Sequence, residues 1–486
     1  MFKDKYDESY WTERVDPIMA EHPELDRTIV RQIVEQIHGQ LPREGVSGKC
    51  DVVLHITHTD IDGVGCATVG ALYAQGIGLY SVVLMAPAYL SREWQMTTAT
   101  VLAHIWRDED VEVVGLIVSD ICTDMETIDK LRNIMKDISV KHGFQEIVVD
   151  HHVTNPMVQN GVRVATPSRM IWCTSKTDQV ASVLEKIYAD IGEDTSDWRF
   201  FNWLKHWGKE RTVSATLLLA LTVFPLISKA ITKEYQESAF VNIYEKCAPF
   251  RELMDTAIRY AIGVSQWDTF GWRDQPECNT RAVFDMVGLQ TFMSPYHMVR
   301  EMIRLHNDVF RDWHFSFLEH DDVEMLGRLF LGTRNDAIAS SGVELLDSIV
   351  DRVADSVRIL DRDEFINECV TLVDNDADHT MQSYLPNKIV TLPYPQVGNA
   401  SYLVAKLYDH PRFAECKGDL MFVLFDWNST VISFRTEAKG TVNLARLASY
   451  LGGGGHRQAS GVNHPKLSNV LKMMYTLRSV SDVPAK

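Results

Sequence analysis

The 486-residue chain has little cysteine, no long apolar run and no excess of positive charge. Its eight cysteines are scattered and form no C-x-x-C pair. That argues against a disulfide scaffold and a zinc ribbon, and it fits a reducing cytoplasm. No stretch of about 18 apolar residues occurs, so no membrane span is expected. The opening MFKDKYDESYWTERVD is charged where a secretory signal would be apolar. Net charge is −18, which argues against a broad face wrapped by duplex DNA. There is no internal repeat and no low-complexity tract.

What is present is an ordinary globular composition, 45% hydrophobic and 23% charged. The length provides for about two to four domains. Charge is unevenly spread. Residues 385–486 hold 12 Lys and Arg against 6 Asp and Glu, whereas residues 1–384 hold 36 against 60. A basic C-terminal module on an acidic body would draw an anionic ligand to the module.

Residues 1–48 read as a helical extension. From Lys49 the pattern changes to short runs of β-branched and apolar residues alternating with helical spacing. Strands are predicted at 51–56, 79–85, 111–118, 146–149 and 162–165, and helices at 63–75, 93–106, 125–142 and 177–191. That alternation predicts an α/β domain with a mainly parallel sheet over 49–275, carrying an aromatic-rich helical insertion at about 199–262. Residues 276–385 read as a helical connector, with helices at 295–317 and 336–360. Alternation returns from Lys388, with strands at 388–392, 420–425 and 430–435 and helices at 400–408 and 443–450. A smaller α/β unit over 386–486 follows.

Four acidic strings recur in one order: His58-Thr59-Asp60-Ile61-Asp62-Gly63, Ser119-Asp120, Asp150-His151-His152 and Trp267-Asp268. The first three each follow a predicted strand, and ligands of parallel sheets sit outside the strands' carboxyl ends. Carboxylates and imidazoles gathered there suit a hard divalent site. Phosphodiester hydrolysis uses two such ions about 3.5–4 Å apart, with at least one bridging carboxylate. Imidazole ligands favour Mn2+-like ions over Mg2+. Asp60 and Asp62 are placed to face different ions, Asp120 to bridge them, and His151 and Asp268 to complete the second position. His58 is a candidate ligand of the first. Asp150 would orient an imidazole and His152 would meet a phosphate oxygen, with Asp120, Asp150 and His152 as the catalytic set. His55, inside its strand, reads as a core or supporting histidine. Asp124 and Asp129 read as helix-start residues. Downstream, Gly452-Gly453-Gly454-Gly455-His456-Arg457 resembles a phosphate-binding loop, since backbone N–H groups approach an anion most closely at glycine. Asn399 and Ser401 open a helix, where capping and ligand contact are both available readings.

These strings resemble the DHH phosphoesterase superfamily. Asp60 and Asp62 match its first motif, Asp120 the second, Asp150-His151-His152 the third and Asp268 the fourth. Gly452 to His456, with Gly461, resembles the glycine motif of the associated DHHA1 domain. The resemblance covers roughly 50–275 and 386–480. Three departures stand out: His58 lies only two residues before Asp60, the gap from His152 to Asp268 is long, and the chain is longer than the minimal nanoRNases of this superfamily. The resemblance implies a first domain holding two Mn2+, with Mg2+ or Co2+ as alternatives. It also implies a second domain gripping the nucleotide through Arg435, Gly453, Gly454, Gly455, His456 and Arg457. The expected activity is hydrolysis of short single-stranded oligonucleotides or nucleotide phosphates in the cytoplasm, without a membrane and with a homodimer as one expected assembly. A RecJ-like single-strand exonuclease, a cyclic dinucleotide phosphodiesterase and a non-catalytic nucleic-acid scaffold are the alternatives. The tetraglycine argues against a family II pyrophosphatase.

Overall fold

The structure is a computed structural model. It describes residues 8–41, 50–86, 92–106, 111–138, 144–152, 155–166, 168–174, 213–223, 226, 257, 260–268, 281–292, 294–310, 336–367, 384–394, 399–437 and 442–481. The helix expected at 177–191 and most of the aromatic-rich insertion lie outside these residues. The chain divides into two compact units: Met1–Met286 with Met293–Asp336, and Val287–Phe292 with Ala337–Lys486.

The first unit is built on a six-stranded sheet in the order β2-β1-β3-β4-β6-β5. Its strands are β1 (Cys50–His58), β2 (Tyr80–Ala86), β3 (Val111–Ser119), β4 (Gln145–Asp150), β5 (Arg163–Thr166) and β6 (Arg169–Cys173). All pairings are parallel except β5 with β6. The mainly parallel α/β architecture expected from the alternation is therefore present. β6 is an addition to the expected strands. Its pairing on β4 supplies what its short, mixed sequence does not signal.

Parallel strands covered on both faces read as continuous apolar runs. On one face Val52, Leu54 and Ile56 of β1 join Trp11 of α1 (Glu8–Glu21), Ile33 of α2 (Arg27–Ile37), Leu102 of α4 (Arg92–Trp106) and Leu131 of α5 (Met125–Ile138). The N-terminal helices thus belong to this core. On the other face lies α3 (Ile61–Gly76), whose residues from Ile61 to Gln75 are all buried. Gly70 of α3 admits His55 closely, for a Cβ there would stand 2.3 Å from the imidazole Nδ1.

The outer side of edge strand β2 carries a ladder of side-chain amides. Asn307 accepts from Ser81 N–H (3.2 Å) and donates to the Ser81 carbonyl (2.8 Å). Gln40 does the same for Val83 (2.7 and 2.8 Å), and Gln36 for Met85 (2.6 and 3.1 Å). Three primary amides on alternate residues replace the missing neighbour strand and blunt an edge open to foreign pairing.

The second unit has a six-stranded sheet in the order β11-β12-β10-β9-β8-β7. The strands are β7 (Arg358–Asp361), β8 (Lys388–Pro393), β9 (Leu420–Phe425), β10 (Val431–Arg435), β11 (Gly454–Gly455) and β12 (Ala459–Asn463). Only β8 and β9 pair in parallel, joined through the helix Ala400–Asp409. Leu447 and Leu471, from the helices Leu444–Tyr450 and Pro465–Ser481, share a core with Met421, Val423 and Phe434. One expectation is corrected here: the helix predicted to run to Leu360 ends at Ser356. Residues 358–361 form β7 instead, because antiparallel pairing with β8 overrides local preference.

Candidate metal centre

Asp60, Asp120 and Asp150 lie at the carboxyl ends of β1, β3 and β4, three adjacent strands. Asp60 caps α3, its carboxylate accepting from Gly63 N–H at 2.9 Å. The turn is tight: a Cβ at Gly63 would stand 1.9 Å from the His58 carbonyl oxygen, so glycine is required. His58 Nδ1 lies 2.9 Å from Asp60 Oδ2 and 3.8 Å from Asp120 Oδ2. On the other side His151 Nε2 lies 3.2 Å from Asp62 Oδ2, 3.4 Å from Asp120 Oδ1 and 3.6 Å from Asp268 Oδ2. The structure therefore brings His58, Asp60, Asp62, Asp120, His151 and Asp268 into one cluster.

Asp120 is its centre. Ligand atoms of His58, Asp60 and Asp120 lie within 4.8 Å of one another, and so do those of Asp62, Asp120 and His151. The two donor sets share Asp120, one oxygen facing each. That carboxylate is buried, and neither oxygen has a hydrogen-bond partner among the described residues. Asp120 is also the one non-glycine residue among them with a left-handed backbone, at φ 57°. Such a conformation and an unsatisfied buried carboxylate both cost stability, and they concentrate where function requires them.

The electrostatics point the same way. Burial and the carboxylates of Asp60, Asp62, Asp268 and Asp150 push the Asp120 carboxyl far above its ordinary range. Burial lifts Asp268 to about 8, with the His151 charge opposing and Asp62 and Asp60 adding to the rise. Burial disfavours the His151 cation, but Asp62, Asp268 and Asp150 reverse this and raise it to about 10. Burial likewise works against the Asp60 charge, which His58 and Gly63 N–H hold below the usual range. Five carboxylates around few cationic groups form a site short of positive charge. Oxygen and imidazole donors of this kind fit hard divalent ions.

The support for these groups was less visible in the sequence. Asp62 accepts from the backbone N–H groups of Ala215 (2.8 Å) and Thr216 (3.0 Å), at the start of the helical segment 215–223. Thr216 Oγ1 also donates to the Asp62 carbonyl at 2.7 Å. The stretch to which the sequence assigned no chemical role thus holds one of the site's carboxylates. Backbone amides have no side-chain signature by which to find them. Asp150 Oδ1 lies 2.7 Å from His152 Nδ1, and its other oxygen accepts from the Asn155 amide. Asn155 also caps the short helix α6 (Pro156–Gln159) by accepting from Met157 N–H at 2.8 Å. An Asn-Pro pair just after Asp-His-His was the available signal. His55 is buried, with its pKa lowered to about 3 by desolvation, and shares a 2.7 Å hydrogen bond with Ser119, next to Asp120. Asp124 accepts from Thr127 N–H at 2.7 Å in a helix start, and Asp129 pairs with Arg169 at 2.6 Å.

In the second unit the tetraglycine does not open a helix. It follows the C-terminus of the helix Leu444–Tyr450, where Gly452 N–H donates to Ser449 O (3.1 Å) and Gly453 N–H to Ala448 O (2.7 Å). These two amides cap the helix, and Gly454 and Gly455 pair with Gly461 and Ser460 as β11. Close packing explains Gly453, where a Cβ would stand 2.1 Å from the Gly461 carbonyl oxygen; Gly455 adopts φ 132°. His456 and Arg457 follow on the hairpin, Arg457 Nε donating to Val442 O at 3.0 Å. Arg435 donates to Ser401 Oγ (3.2 Å) and to the carbonyls of Phe434 (2.9 Å) and Ser460 (3.2 Å), which fixes its plane. Asn399 caps its helix through Tyr402 N–H at 3.1 Å.

The chain resembles the DHH phosphoesterases. The resemblance rests on these motifs, for no family model and no curated protein matches the sequence. Among solved structures, a RecJ exonuclease bound to manganese aligns at 11% identity over 94% of this chain and 97% of that one, with a TM-score of 0.39. RecJ from Thermus thermophilus in complex with Mn2+ aligns at 9% identity over 96% and 61%, with a TM-score of 0.35. The pGpG-specific phosphodiesterase PggH from Vibrio aligns at 12% identity over 89% and 99%, with a TM-score of 0.27. No helix among the described residues is long and apolar enough to cross a membrane.

Proposed function

We infer that the protein is a divalent-metal-dependent phosphodiesterase or exonuclease acting on short single-stranded oligonucleotides or nucleotide phosphates. Asp120 carries this reading: it is buried, without a hydrogen-bond partner among the described residues, and shared by two donor sets. Mn2+ suits the mixture of carboxylate and imidazole donors, with Mg2+ or Co2+ as alternatives. When bound, a pair of such ions lowers the pKa of a water and offsets charge on the phosphate.

The chain's own groups have distinct tasks in this reading. His58 and Asp60 hold one position, and Asp62, His151 and Asp268 the other, with Asp120 between. The Ala215 and Thr216 amides fix the orientation of the Asp62 carboxylate, while burial works against its charge and His151, with the Thr216 side chain, holds it below the usual carboxylate range. Asp150 accepts a hydrogen bond from His152 Nδ1 and so orients the ring, leaving Nε2 to face a phosphate oxygen, to which it donates only as the imidazolium. Arg435, His456 and Arg457, beside the Gly453–Gly455 backbone, supply positive charge for a terminal phosphate. The acidic composition of the rest of the chain favours short substrates over long ones.

The test is hydrolysis with Mn2+ of a labelled ladder from dinucleotide to about 25 nucleotides, longer than the ~4–16-nucleotide footprint of a single-strand binding fold. Cyclic dinucleotides are run beside it. Turnover concentrated on the shortest strands supports the reading. Stepwise digestion of the longest replaces it with a RecJ-like exonuclease, and no turnover with any divalent ion contradicts it.

A further inference from the structure

A third donor set lies outside the two that share Asp120. Cys122 Sγ, a carboxylate oxygen of Asp150 and a ring nitrogen of His152 all lie within 4.8 Å of one another. Asp150 and His152 come from the end of β4, whereas Cys122 follows β3, two residues beyond Asp120. The set differs in chemistry from its neighbours, because it alone contains sulfur. Hard Mn2+ and Mg2+ gain little from a thiolate, while Zn2+ and Cd2+ gain much, and a Cys, His and carboxylate set is one that Zn2+ commonly accepts. The backbone delivers these residues firmly. Asp150 is held by the Asn155 amide, Asn155 Nδ2 lies 3.5 Å from the Ile121 carbonyl beside Cys122, and Thr174 N–H bonds Asp150 O at 3.0 Å.

We propose that Cys122, Asp150 and His152 form a separate binding site for a soft divalent ion of the Zn2+ class, and that its occupation inhibits the enzyme. Binding displaces the thiol proton to solvent, since the coordinating sulfur is a thiolate. The inhibitory part rests on the proposed function, because it removes His152 from the phosphate and breaks its pairing with Asp150. The binding part does not. Cys122 takes no part in the hydrolytic arrangement, so its removal separates the two.

The experiment uses the full chain saturated with Mn2+ and titrated with Cd2+, followed by the ultraviolet thiolate-to-cadmium charge-transfer band. One band equivalent per chain is expected in the wild type. In Cys122→Ser and in Cys122→Ala the band should be absent, and Cd2+ affinity by equilibrium dialysis should fall by more than the about 10–100-fold that loss of a supporting partner costs. The band should persist in Asp120→Asn and in Cys66→Ser. A band that survives both Cys122 variants, or that saturating Mn2+ abolishes, overturns the proposal. Inhibition of hydrolysis by Zn2+ should weaken in Cys122→Ser in the same proportion. Loss of the band in Cys122→Ser, in a protein that hydrolyses no phosphodiester, would retain the site and discard only the activity.

Discussion

Asp120 concentrates the unfavourable energies of the site: a left-handed backbone, burial and four neighbouring carboxylates. A left-handed L-residue costs about 1–2 kcal/mol, and asparagine tolerates that conformation as well as aspartate does. Asp120→Asn should therefore abolish metal-dependent turnover and stabilise the metal-free protein by about 1 kcal/mol or more, since it removes the cost of keeping a buried carboxyl protonated at neutral pH. Thermal melts in chelator, beside the hydrolysis assay, read both effects; a metal-free variant less stable than wild type would contradict the account. The neighbouring groups set a pH dependence. His151 is raised from 6.5 to about 10, so its contribution to stability is complete below pH 6.5 and lost as pH rises through about 10. Asp268, raised from 3.8 to about 8, stays protonated in the fold, and its contribution is lost as pH rises through about 8. Metal-free protein should thus unfold at lower urea at about pH 9 than at about pH 6.5. Divalent-ion affinity should rise over the same interval, because the ions displace those protons. Affinity that falls with pH would show that these are not the ligands.

At the scale of elements, the strands bearing Asp60, Asp120 and Asp150 were legible because their apolar runs end on charged residues. Strands β6, β7 and β12 were not. Ala459–Asn463 is small and polar, and only pairing with β10 makes it a strand. The glycine motif was legible as a motif, but its physical reason was not. Glycine serves a helix C-terminus and a close strand contact, where the sequence suggested a loop whose backbone N–H groups approach an anion. The amide ladder on β2 was equally hidden, because Gln36, Gln40 and Asn307 carry no pattern that points to a strand edge. Gln40→Leu should leave the N–H and C=O of buried Val83 without partners, at about 1–3 kcal/mol for each group. Denaturant melts and hydrogen exchange at Val83 measure this. Unchanged protection there would show that the ladder contributes nothing.

For the whole molecule, an acidic chain with a basic C-terminal segment implies a small anionic footprint. About three phosphate contacts, from Arg435, His456 and Arg457, give a log–log slope of oligonucleotide affinity against salt near −2, by the single-strand factor of about 0.7 per contact. Anisotropy titrations with Asp120→Asn, which binds without turnover, provide the slope. A value several times steeper would indicate a long basic channel and a RecJ-like mode. The most direct measurement is Mn2+ stoichiometry by equilibrium dialysis, joined to electron paramagnetic resonance of the bound ions. Wild type should hold two Mn2+ per chain with a spin-coupled spectrum, and Asp120→Asn should lose the coupling together with at least one ion. A single uncoupled Mn2+ in the wild type, or a coupled pair that persists without the Asp120 carboxylate, would contradict the shared-ligand site.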